Sequence, residues 1–102
     1  MVISIRWTDA YDYESITVGA TVAPLSSSKY EPAGEIAAHR VVMTCETAPL
    51  RYRYDGVDPT ATEGHRLVEG EVIELVGINN IRKFRAIREG TTDAILKVTY
   101  ER

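Results

Sequence analysis

Along most of the chain apolar side chains recur at every second position, the period of a strand with one face in a core and the other in solvent. Residues 1–7 set Ile3, Ile5 and Trp7 against Val2, Ser4 and Arg6. The stretch 16–24 puts Ile16, Val18, Ala20 and Val22 on one face, and Gly19 marks a bulge or a close backbone approach. Residues 38–47 alternate His39, Val41, Met43 and Cys45 with Arg40, Val42, Thr44 and Glu46. After Pro49, Leu50, Tyr52 and Tyr54 alternate with Arg51 and Arg53. Two short runs, 67–68 and 71–76, flank Glu69-Gly70, and Phe84, Ala86 and Arg88 then oppose Arg85, Ile87 and Glu89. In the last run Ala94, Leu96, Val98 and Tyr100 point inward, with Ile95, Lys97 and Thr99 outward. The expected core is Ile3, Ile5, Trp7, Val18, Val41, Met43, Tyr52, Leu75, Leu96 and Val98.

Between these runs lie turn signals. Asp55-Gly56 and Asp58-Pro59 make 55–65 the richest of them, Asn79-Asn80 starts another turn, and Gly90 and Asp93 frame the last. SSSKYEPAGE, residues 26–35, is a loop too long for a hairpin, hence either functional or a crossover between two sheets. The only helical candidate, GEIAAHR at 34–40, is short and runs straight into β-branched residues. The pattern predicts one domain over residues 1–102, an all-β sandwich of seven to eight mostly antiparallel strands, with a small barrel as the alternative.

Composition agrees. Val, Ile, Thr and the aromatics supply 37 of 102 residues and Leu only five, a mixture suited to pleated strands. A chain this short fits one domain with little room for a second and is expected to be marginally stable alone. No apolar run approaches the roughly 20 residues that span a bilayer, and the N-terminus lacks the apolar stretch of a secretory signal. The net charge of −3 argues against sequence-independent nucleic-acid binding. That charge is uneven: residues 1–35 hold two bases and five acids, residues 80–102 six bases and three acids. The C-terminal strands thus offer either a basic edge to an acidic partner or an ordinary solvated face.

Candidate chemistry is sparse. His39 and His65 have no metal-ligand spacing, and a single Cys45 on the Val41–Met43 face can form neither an intrachain disulfide nor a multi-Cys zinc site. Asp55, Asp58 and Glu63 crowd one loop without the acid density of a calcium loop, and read better as turn formers. Nucleophile elbow, phosphate loop and dinucleotide fingerprint are all missing. The expectation is a protein that is not an enzyme and carries no metal or cofactor. LRYRYDG, residues 50–56, is the most distinctive surface signal, either an interface rich in Arg and Tyr or a core edge with a solvated back.

Two resemblances rest on this segment. Over residues 50–89, Tyr52, Asp55, Gly56, Pro59 and Thr60, then Phe84, Ala86 and Ile87, resemble the hairpin signature of the chitobiase-type C-terminal immunoglobulin-like module. Over 45–100, Glu46–Ala48, Arg51–Arg53, Asp55, Gly56, Pro59–Ala61, Gly64, His65, Phe84–Arg88, Leu96, Val98 and Tyr100 resemble small proteins encoded in phage structural-gene clusters. The resemblances imply an immunoglobulin-like sandwich and a virion structural protein assembled in the host cytoplasm. The expected role is a capsid decoration or cement protein bound in many copies to the major capsid protein or another virion protein, without nucleic-acid or membrane partners. The alternatives are a head–tail or tail accessory protein, or a carbohydrate-binding accessory module that stacks a surface glycan on Tyr30, Tyr52 or Tyr54. Partner contacts are expected from Tyr11, Tyr13, Lys29, Tyr30, Arg51 and Arg53, with the segment 11–35 as the main attachment region.

Overall fold

Period-two alternation becomes strand nearly wherever it occurs. The computed structural model describes residues 8–102, and the strand expected at 1–7, with Ile3, Ile5 and Trp7 in the core, lies outside them. The elements in chain order are β1 (Ala10–Val18), β2 (Ala23–Pro24), α1 (Ser27–Tyr30), β3 (Arg40–Glu46), β4 (Leu50–Arg53), β5 (His65–Leu67), β6 (Val72–Val76), α2 (Ile78–Lys83), β7 (Arg85–Arg88) and β8 (Ala94–Glu101). They form two antiparallel four-stranded sheets, ordered β1-β8-β3-β6 and β2-β7-β4-β5.

The pairings are nested: β4 with β5, β3 with β6, β2 with β7, and β1 with β8. One long antiparallel ribbon is therefore rolled into two layers, which is the topology of a jelly roll. An immunoglobulin sandwich groups its strands as ABED and CFG, with its first and last strands in different sheets. Here β1 and β8 pair within one sheet, so the strand order of the described residues does not reproduce the expected immunoglobulin-like grouping. Each arm of the ribbon bends from one sheet to the other. At the β3–β4 bend Thr47 takes a left-handed φ of 78° and the Ala48 amide donates to the Glu46 carbonyl at 2.9 Å, closing a γ-turn.

Val18, Val41, Met43, Leu75, Leu96 and Val98 are buried as expected, and Tyr52 packs against them half-buried. Leu50, Ile81, Phe84 and Tyr100 are the largest side chains added to that core, each 0–1% exposed. Three details differ from the alternation. The first described strand starts at Ala10 and ends at Val18, leaving Ala20 exposed, because the ribbon must bend before β2. In β3, His39 precedes the strand and is exposed, whereas Arg40 is buried.

The third concerns helix, of which the pattern predicted none. Two short helices close the crossovers, and neither coincides with 34–40. The Asn79-Asn80 turn is inside α2, where Ile78 and Ile81, one helical turn apart, both pack on the core. α1 packs against α2, and Arg82 grips Glu31 across them at 2.6 and 2.7 Å.

Candidate functional site

The β4–β5 hairpin builds an aromatic row that climbs from core to surface. Phe84, 1% exposed, stacks on Tyr52 at 5.7 Å; Tyr52 meets His65, its cross-strand partner, at 5.3 Å; His65 stacks on Tyr54 at 6.0 Å. Tyr54 ends the row 41% exposed. Beyond it the loop 55–64 folds back over the hairpin. Gly64, at φ 134°, makes this approach workable, because a Cβ there would sit 3.0 Å from the Tyr52 carbonyl oxygen and 3.2 Å from Pro59. The fold-back leaves an open cleft of about 490 Å³ lined by Arg53, Tyr54, Asp55, Glu63, Gly64 and His65.

Polar groups in the cleft are held in place. Arg53 Nη2 and Nε donate to the two Asp55 carboxylate oxygens at 2.6 and 3.1 Å, and this pairing holds the Asp55 carboxyl down at about 2. Asp55 also accepts from the Val57 amide, and Thr60 Oγ1 accepts from the Thr62 and Glu63 amides, so Asp55 and Thr60 act as turn formers in this loop. Among the described residues no group of three His, Cys, Asp or Glu is arranged to hold a metal. Cys45 is buried, donates to the Ala48 carbonyl at 3.3 Å, and is pushed up to about 11 by burial, which keeps it a thiol.

The six residues expected to touch a partner fall into two separate groups. Tyr11 hydroxyl donates to the Lys29 carbonyl at 2.6 Å, and Arg102 lies 4.1 Å over its ring. Lys29 pairs with Asp12 at 3.2 Å, and Tyr30 packs on the core. With Ser26 donating to Glu14 at 2.7 Å and Arg102 to Glu35 at 2.9 Å, the 26–35 loop is stitched onto β1 and the C-terminus. Of this group Tyr13 alone is well exposed, at 53%. The other group, Arg51 and Arg53, lies on the outer face of the second sheet.

Registers define both outer faces. On the first sheet the cross-strand rows are Ala10–Glu101–Arg40–Val76, Tyr13–Thr99–Val42–Glu74, Ser15–Lys97–Thr44–Val72 and Thr17–Ile95–Glu46. On the second they are Pro24–Arg85–Arg53 and Ile87–Arg51–Arg66. Glu89 answers both Arg51 and Arg66, at 3.0 and 2.8 Å. Sequence reading missed His65 and Glu63 as cleft residues and Arg66 as a face residue, and it set Val42 and Arg85 on the outward sides of their strands without making them partner contacts. The alternation shows which way each side chain points but not which strand lies beside it. No family model, curated protein or solved structure matches the chain.

Proposed function

We propose that this chain is a non-enzymatic structural protein of a phage virion, a decoration protein that docks on the capsid in many copies. The sequence resemblance over 45–100 supports the virion setting. The observation that carries the docking role is the outer face of the first sheet. Its fifteen paired positions hold five charged side chains, of which Arg40, Glu74 and Glu101 are tied together in ion pairs, against a run of Thr, Val, Ile, Ser and Tyr, with Tyr13 53% and Val76 59% exposed. A four-stranded face of this kind supplies area that gains by desolvation, and a small sandwich docked on a lattice gains stability by mass action. Jelly rolls occur in viral capsid and lectin domains alike, so the fold itself does not choose the role.

Occupancy on purified particles tests the reading. Tyr13→Lys with Thr44→Lys should raise the dissociation constant for particles about tenfold, the effect of losing about 1.4 kcal/mol, while the melting temperature of the free chain stays within a few degrees. An unchanged constant for the double variant removes the face from the argument. Absence of the chain from particles removes the virion reading, and about a dozen copies per particle in place of hundreds makes it a head–tail component.

A further inference from the structure

The cleft at the tip of the β4–β5 hairpin has no part in the docking face, and its chemistry is that of a ligand site. We propose that it binds a neutral pyranose sugar, stacked on Tyr54 and hydrogen-bonded by Arg53, Asp55 and Glu63. Three observations converge. The volume, about 490 Å³, suits one or two sugar rings, and small-molecule sites span roughly 300–1,000 Å³. Tyr54 offers an exposed aromatic ring whose plane is fixed by the stack on His65, so little side-chain entropy remains to be lost on binding. The negative face of such a ring attracts the positively polarised C–H groups of a pyranose.

Polar groups flank the ring on adjacent residues. The Arg53–Asp55 pair presents carboxylate acceptors beside guanidinium donors, the complement of two neighbouring hydroxyls that each donate and accept. Because that pair is internally neutral, Glu63 leaves the lining with a net negative charge. An anionic sugar is therefore disfavoured, and a single further carboxylate beside an arginine is a poor ligand set for a divalent cation. Of the tyrosines expected to stack a glycan, Tyr30 is packed on the core and Tyr52 lies inside the row between Phe84 and His65. Tyr54 is the one that faces the cleft.

The test uses the free chain in solution and is independent of particle docking. Amide chemical shifts are followed while methyl glucoside, methyl galactoside, methyl mannoside and chitobiose are added in turn, with a sulfated galactoside and calcium chloride as separate arms. At least one neutral sugar should give saturable shifts confined to 53–55 and 63–65. Tyr54→Ala should weaken that binding about tenfold, Asp55→Asn should weaken it too, and Tyr54→Phe should retain it. No saturable shift with any of the four neutral sugars overturns the proposal. So do shifts indifferent to Tyr54→Ala, or a stronger response to the sulfated sugar or to calcium.

Discussion

The two sheets of this sandwich share a core yet carry opposite outer faces. On the first, the cross-strand neighbours are mostly Thr, Val, Ile, Ser and Tyr, and the charges among them are of both signs. Its one arginine there, Arg40, is 3% exposed and held between Glu74 and Glu101 at 2.5–2.8 Å. On the second sheet arginine faces arginine twice, Arg53 against Arg85 and Arg51 against Arg66. Like charges directly opposite destabilise a sheet. Glu89 relieves one of these pairs by bridging it. Asp55 neutralises Arg53, while among the described residues Arg85 meets no carboxylate and donates to the Arg82 and Phe84 carbonyls at 2.9 and 2.8 Å. Net charge thus says little about a surface: four arginines and two acids gather on one face of a chain whose total is −3.

The sharpest way to separate the faces is to truncate an arginine on each. Arg40→Ala removes the cation between two carboxylates and should cost about 2–4 kcal/mol in urea unfolding. Arg51→Ala should cost no more than about 1 kcal/mol, because its partner Glu89 retains Arg66 and water. Equal losses would erase the distinction.

Tyr100 anchors the inner side of the first sheet. It is fully buried, its hydroxyl donates a short hydrogen bond to Glu14, and Glu14 also accepts from Ser26. Tyr100→Phe should cost about 1–2 kcal/mol. Burial first, then the Glu14 bond, raises its pKa far above the ordinary 10.0. The folded chain therefore keeps a proton that the unfolded chain releases. This contribution is complete below pH 10 and is lost as pH rises above it. A flat melting temperature through that range in wild type would show the hydroxyl is not so held.

On the second sheet the expected effects are smaller and one has the opposite sign. Arg85→Thr takes away the unanswered member of the Arg53–Arg85 pair and should stabilise by about 0.2–1 kcal/mol, against the destabilisation usual for a substitution. The smallest effect is acid dependence. Arg66, then Arg51, holds the Glu89 carboxyl below its ordinary 4.5, and Arg53 holds Asp55 below its ordinary 3.8. Their contribution is complete above those values and is lost as pH falls through the lower folded ones, for Asp55 about 2. Glu89→Gln should flatten the acid side of the melting curve and lower the plateau slightly, and high salt should shrink the difference.

Strands β3, β4, β6, β7 and β8 and the inward side of most of their residues were legible in the sequence, because the pleat has a period of two and burial follows it locally. Leu96, Val98 and Tyr100 are buried for that reason, and Arg51 and Arg53 are turned outward for the same one. β5 was expected at 67–68, with His65 in the turn before it, whereas the strand starts at His65. Strand order was not legible. β1 finds β8 across the whole length of the chain, and nothing in the alternation distinguishes β8 from β6 as a partner. The jelly-roll winding, the opposed arginines and the arginine-poor first face are all consequences of that order. The helices escaped the pattern because one or two turns carry too few residues to display a period: in α2 only Ile78 and Ile81 mark the inner face. The cleft needed the tertiary structure most. Tyr54, Asp55, Glu63 and His65 meet because Gly64 lets the loop lie against the Tyr52 carbonyl, a contact between chain segments rather than a property of either one.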